Sequence, residues 1–323
     1  MEWYFILLIV IGGIVALVGL YMAFAAVIAL GTTKMATKPT RHTFDEARVH
    51  QAEYEGYDFT NYDKNWRKQA FEVDGVHGKV RGEIIFNPTT FERNKVAIIC
   101  HGHTWNRINS LKYAYLFYNK GYNVIIYDHA YFGLSDGKYT TLGLNEKLDL
   151  SAVIDFARET FGQDAIVALH GESMGAATVL CELGIRSDID LVVADCPFSN
   201  TMKYYRELCK HLTHLPGFPI VDFANLMSKR KFGYDFTKVN PIDGVKASNT
   251  PVCLIHGKAD TYIRPSHSEA MFQVTNNPLS ELHLVDDAEH ACSHVTDKAL
   301  YTKIVSEFID KVESSKKIST SAI

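Results

Sequence analysis

The sequence predicts an α/β fold, a mostly parallel sheet with helices on both faces, preceded by one membrane-spanning helix. Two observations carry this. Short apolar, β-branched runs alternate with helix-length stretches over most of the chain, as in a parallel sheet covered on both sides. From Trp3 to Thr33 there is no charged residue, and roughly 20 apolar residues in a helix suffice to cross a bilayer core. The 323 residues allow one large domain with small additions.

The apolar run starts at Trp3 and Tyr4, where interfacial rings are favoured, and is followed by Lys34, Lys38 and Arg41. A cleaved signal peptide needs a positive start and a shorter core of about 7–15 residues. The chain instead opens Met1-Glu2, so residues 1–33 are expected to be a retained anchor. Basic residues after the helix favour a cytoplasmic location for the rest. Six cysteines are present without a CxxC pair. Cys100 and Cys253 lie in apolar, strand-like runs, which suits buried thiols in a reducing compartment. Their spacing supports no metal site. A net charge of −4 without a long basic run argues against nucleic acid as a partner. The expectation is a single-pass protein of the cell membrane with the rest of the chain in the cytoplasm.

Residues 34–70 are polar and rich in Tyr and acids, and read as a linker and N-terminal extension. The domain proper is expected at 71–314. Strands are expected at Val80–Phe86, Val96–Cys100, Asn123–Tyr127, Ile166–Leu169, Leu191–Ala194, Val252–Ile255 and Leu282–Val285. Helices are expected at Leu111–Asn119, Leu144–Thr160, Ala176–Ile185, Ser266–Gln273 and Lys298–Lys311. The stretch from about 199 to 240 lacks a good strand but carries Leu212, Leu215, Phe218, Ile220, Phe223 and Leu226. It reads as a small helical cap. Residues 315–323 read as a polar tail.

The sharpest motif is Gly171-Glu172-Ser173-Met174-Gly175, which follows the apolar run Ile166–Leu169 and precedes the helix-compatible Ala176–Leu180. That is the strand–turn–helix context of a nucleophile elbow. A tight turn holds the serine above the sheet, small flanking residues avoid clashes, and the next helix points its N-terminus at the site. A serine nucleophile needs a base, and the base an orienting acid. Asp260 ends the loop after Val252–Ile255, and His290 lies in the loop after Leu282–Val285. Asp195, at the end of Leu191–Ala194, is a rival acid. His101, His103, His129, His170 and His256 also border strand ends, and His294 lies near His290.

Taken together, His101-Gly102, the Asp128–Gly137 loop, the Gly-Glu-Ser-Met-Gly elbow, the Ile255–Asp260 loop and the Ala288–Ala291 loop resemble the α/β-hydrolase family. The similarity is to its bacterial esterase and serine-aminopeptidase-like branch, and spans about residues 80–312. It implies the acid role for Asp260 and the base role for His290. Acyl transfer also needs backbone N–H donors for the developing oxyanion. One is Met174, the residue after the nucleophile. The resemblance puts the other at His103, with Thr104 as the alternative. The segment Asp128-His129-Ala130-Tyr131-Phe132-Gly133 departs from the family's Asp-x-Arg-Gly pattern.

The expected activity is cleavage of an acyl bond through Ser173, Asp260 and His290, without metal or cofactor. Between Ser199 and Asn240 there are seven Lys/Arg and three Asp/Glu. That balance favours an ester or other small or lipid-like acyl substrate over a peptide amino terminus, so carboxylesterase chemistry is expected before peptidase chemistry. Acyl transfer to another acceptor, and a non-catalytic binding role on the same fold, are the alternatives.

Overall fold

The computed structural model describes residues 2–89 and 94–321. Among them, eight strands make one sheet. They are β1 (Arg67–Gly75), β2 (Gly78–Phe86), β3 (Lys95–Cys100), β4 (Asn123–Tyr127), β5 (Ile166–Glu172), β6 (Leu191–Asp195), β7 (Val252–Gly257) and β8 (Glu281–Val285). Their spatial order is β1-β2-β4-β3-β5-β6-β7-β8. β2 runs antiparallel to both neighbours, and every pair from β4 to β8 is parallel.

The helices, in chain order, are α1 (Glu2–Thr37), α2 (Phe44–Glu53), α3 (Leu111–Tyr118), α4 (Glu146–Phe161), α5 (Met174–Glu182), α6 (Thr201–Thr213), α7 (Gly217–Phe232), α8 (Pro241–Ala247), α9 (Ser266–Phe272), α10 (Ser293–Thr296) and α11 (Lys298–Ser321). The inner strands are almost wholly apolar because both faces are covered. On one face Phe117 of α3 and Tyr301 and Phe308 of α11 pack against Ile99 and Ile126. On the other, Leu150 and Ile154 of α4 and Val179 and Leu180 of α5 pack against Ile98 and Leu169. Each such side chain, fully buried, favours folding by about 1.5–3 kcal/mol. All six cysteines are free, and five of them are buried.

A third apolar cluster lies over the carboxyl ends of the strands. It joins Tyr205 and Leu208 of α6, Ile220, Val221 and Ala224 of α7, and Ala25, Ala29 and Ala36 of α1. α1 therefore has two parts. From Trp3 to Leu20 every side chain is exposed, and this stretch is apolar and long enough to cross a membrane. Beyond Tyr21, Ala25, Ala29, Thr33 and Ala36 recur at helical spacing and are buried. Their small size lets α7 approach closely, and Thr33 Oγ1 donates to the Ala224 carbonyl at 3.2 Å.

The structure departs from the sequence reading at the edges. α1 continues to Thr37 rather than ending at 33, because its last turns pack on the cap. β1 begins at Arg67, inside the stretch read as extension and ahead of the expected start at 71. It is an edge strand with mostly exposed residues, so alternation is weak until Phe71 and Val73. The extension itself holds α2, whose Thr43 and Glu46 form a reciprocal capping box. α11 carries on to Ser321, through most of the expected tail; residues 322–323 lie outside the described residues.

Candidate active site

β5 ends at Glu172 and α5 begins at Met174, so the chain reverses at Ser173. Ser173 takes φ 54° and ψ −111°, a strained region for a non-glycine residue. The turn is possible because two glycines let backbones touch. A Cβ on Gly171 would lie 2.3 Å from the Gly175 carbonyl carbon, and one on Gly175 would lie 2.1 Å from the Cys100 carbonyl oxygen. The Ser173 N–H donates to the Asp195 carbonyl at 2.8 Å, which ties the turn to β6.

His290 hangs from the loop after β8 with its Nε2 3.0 Å from Ser173 Oγ. Its Nδ1 is 2.7 Å from Asp260 Oδ2. The two loops are laced together, since the Ala259 N–H donates to the Ala288 carbonyl at 3.0 Å. Asp260 is fixed from below, where its Oδ1 accepts the N–H groups of Tyr262 at 2.9 Å and Ile263 at 2.8 Å. Burial pushes the Asp260 carboxyl up. Hydrogen bonds from His256 and His290, and the Ile263 N–H, outweigh it and hold the group at about 2. Asp260 is thus a carboxylate at neutral pH.

The other candidates sit elsewhere. Asp195 meets the Tyr113 hydroxyl at 3.4 Å, and burial, with the Glu172 charge, raises it to about 7. His101 Nε2 accepts the His129 N–H at 3.0 Å. His170 meets Tyr301 Oη at 3.0 Å, and His294 meets Tyr115 Oη at 3.1 Å. Both are driven to about 3, burial first and the Lys112 charge second. His256 Nε2 is 2.8 Å from the Ile263 carbonyl and 3.2 Å from Asp260 Oδ2, so it braces the acid.

Above Ser173 is a cavity of about 20 Å³, lined by His103, Met174, Leu142, Phe198, Tyr204, Tyr205, Tyr262, Ile263 and, from α1, Met35. That volume holds little more than one water-sized sphere. Met174 opens α5, so its N–H has no acceptor within the helix. His103 is half-buried with its ring Nε2 enclosed, and desolvation, then the nearby His101, lowers its imidazole to about 4. It therefore lies neutral beside Ser173.

Two features were not read from the sequence. One is Met35, hidden because it falls just past the expected anchor, in the stretch read as linker. The other is a buried ionic chain beneath the elbow. Lys112 Nζ is 2.7 Å from Glu172 and 2.9 Å from Glu55, and Glu172 also accepts from Tyr113 at 2.6 Å and Asn109 at 3.1 Å. Burial works against the Lys112 cation, but the Glu172 and Glu55 charges together raise it well above the usual lysine range. The available signal was Glu172 itself, a charge inside a turn that must be buried. Donor atoms of Cys196, Asp260 and His290 also lie within 4.8 Å of one another. Both His290 nitrogens and Asp260 Oδ2 are engaged in the chain to Ser173, so this trio is no independent metal site. Donor atoms of Cys253, Glu281 and His283 form a second trio on β7 and β8, where Glu281 is held by Lys311 at 2.7 Å and His283 at 2.9 Å.

The sheet order, the strained elbow at the end of β5 and the cap over it define an α/β hydrolase. Residues 113–315 match the model of the prolyl oligopeptidase family, and the chain belongs to that family. YqkD of Bacillus subtilis (strain 168) is 34% identical over 276 residues, 84% of this chain and 88% of its own. The Pyrococcus furiosus esterase Pf2001 superposes with a TM-score of 0.64 at 25% identity, over 79% of this chain and 95% of that one. The Pyrococcus horikoshii acylaminoacyl peptidase superposes with a TM-score of 0.59 at 15% identity, over 80% of this chain and 43% of that one. The chain is thus a hydrolase by family, with esterases among its structural neighbours.

Proposed function

We propose that this protein is a membrane-anchored serine hydrolase that cleaves carboxylic esters through an acyl-enzyme on Ser173. His290 takes the Ser173 proton as the hydroxyl attacks the acyl carbonyl, then passes it to the departing alcohol. Asp260 holds the imidazole in the tautomer that leaves Nε2 free to accept, and stabilises the cation that forms. The N–H groups of His103 and Met174 receive the oxyanion. Water, deprotonated by His290, releases the acid. This chemistry requires no metal or cofactor. The observation that carries the reading is the unbroken pair of contacts, 3.0 Å from Ser173 to His290 and 2.7 Å from His290 to Asp260.

An ester is preferred to a peptide because, among the described residues, the cavity lining holds no carboxylate to receive a free amino terminus. The anchoring side is read from Lys34, Lys38 and Arg41 after α1 and from the six free cysteines, which together favour a cytoplasmic hydrolase domain. The test is a panel of p-nitrophenyl esters of graded chain length beside aminoacyl p-nitroanilides and N-acylated peptides, run on the full chain in detergent. Ester turnover lost in Ser173→Ala, with little amide cleavage, supports the proposal. Preferential cleavage of the peptides assigns peptidase chemistry to the same serine. Unchanged ester turnover in Ser173→Ala refutes the mechanism.

A further inference from the structure

The cap carries an apolar corner that the catalytic proposal does not use. Between α6 and α7, Phe218 is 68% exposed and Leu212 is 58% exposed. Lys210, His211 and His214, all exposed, rim the corner. Its height relative to α1 is fixed by a contact: the Tyr21 hydroxyl reaches the Phe218 carbonyl at 3.4 Å. Tyr21 directly follows the exposed apolar stretch Trp3–Leu20, which rises about 27 Å at 1.5 Å per residue. A bilayer's hydrocarbon core is about 30 Å thick. Phe218 therefore stands where that stretch would leave the hydrocarbon, a level that aromatic rings favour.

α1 also connects this level to the reaction centre. Its outward face stays apolar and exposed through Met22, Phe24, Val27 and Leu30, and the first charge after Glu2 is the exposed Lys34. Met35, the next residue, lines the cavity with Ser173. It is five residues beyond Leu30, about 7 Å along the helix. Counted from Tyr21, Met35 lies 14 residues on, about 21 Å along the helix, so a chain following α1 out of the bilayer meets the cavity wall after about four helical turns. The wall is a methionine, whose unbranched side chain changes shape readily. Met35 is therefore part of the wall that an acyl chain passes on its way to Ser173.

We propose that the cap docks on the lipid bilayer through the α6–α7 corner beside α1, and that the site takes esters of bilayer-partitioned acyl chains delivered along that seam. The substrate half of this proposal rests on the serine-hydrolase reading; the docking half does not. Continuity with the apolar stretch of α1 and the Lys210 cation at the rim select a lipid surface with anionic headgroups over a protein partner.

The experiment uses the full chain in nanodiscs of phosphatidylcholine and phosphatidylglycerol. Phe218→Trp adds an indole to the native Trp3, Trp66 and Trp105, and the difference from the parent is read with tail-brominated lipids. Docking requires blue-shifted emission and strong quenching of the added residue. Water-like, unquenched emission overturns it, and so does quenching replaced by cross-linking between two copies through residue 218. In a second arm, Leu212→Glu and Phe218→Glu should raise KM for a long-chain ester in vesicles about tenfold or more. The same samples should turn over a soluble short-chain ester as the parent does, which also reports folding. Unchanged KM for the long-chain ester refutes delivery. If the parent cleaves neither ester, the serine-hydrolase reading fails, while the quenching arm still decides docking.

Discussion

Asp260→Asn tests the electrostatic logic of the site with a change of one atom. In the native site Asp260 Oδ1 accepts two backbone N–H groups and Oδ2 faces the ring N–H of His290 and of His256. An asparagine keeps Oδ1 on the backbone donors, so its amide NH2 must replace Oδ2. A donor then faces His290 Nδ1. The imidazole answers by moving its proton to Nε2, the atom 3.0 Å from Ser173 Oγ, and it can no longer accept the serine proton. Loss of this tautomer costs about 10⁴ in kcat where it has been isolated in triads of this kind, equivalent to roughly 5 kcal/mol. The same carboxylate contributes to stability. Held at about 2 instead of its ordinary 3.8, it favours folding by roughly 2 kcal/mol at neutral pH. Because the folded value is the depressed one, that contribution is complete above about pH 4 and is lost as pH falls toward 2. The assays are kcat/KM on an activated ester and thermal unfolding, both on the full chain in detergent. An Asp260→Asn enzyme within tenfold of the parent would refute the assigned role.

Other outcomes follow from the same contacts. Asp195→Asn should stay within about tenfold of the parent in kcat/KM, because His290 Nδ1 is bound to Asp260 instead; a loss matching that of Asp260→Asn would transfer the acid role. Lys112→Met leaves Glu172 and Glu55 buried without their cation and should cost about 3–5 kcal/mol, read by chemical denaturation. Gly175→Ala drives a methyl to 2.1 Å from the Cys100 carbonyl, and should destabilise by about 1–3 kcal/mol while displacing the elbow, seen as lost melting temperature and turnover. Maleimide labelling of the native protein should find Cys292 first, since the other five thiols are buried; fast modification of Cys100 or Cys253 would contradict this packing.

Much of this was legible in the sequence because local pattern and function coincide at the centre of the sheet. β3 to β7 are buried on both faces, so they read as plain apolar runs, and the elbow carries its own glycine signature. The loop holding Asp260 was legible because it ends such a run, β7, and the His290 loop because it follows the short strand β8 in the downstream position. What escaped is non-local. β1 is an exposed edge strand whose polar residues look like linker. The buried state of Glu55, Lys112 and Glu172 depends on three segments meeting, and none of them announces a partner. The reach of α1 into the cap was masked by composition, since the alanines that pack on α7 are as apolar as residues facing lipid. Met35, just past the expected anchor, looked like the start of a linker when it is part of the cavity wall.

On the proposed mechanism the Ser173 hydroxyl is the activated nucleophile. Its most direct measurement is mass spectrometry of the full chain after reaction with a fluorophosphonate, with the modified peptide sequenced. The mechanism requires one adduct, on Ser173, formed rapidly by the parent and lost in His290→Ala. An adduct on any other residue, or unchanged labelling of Ser173 without His290, would contradict it.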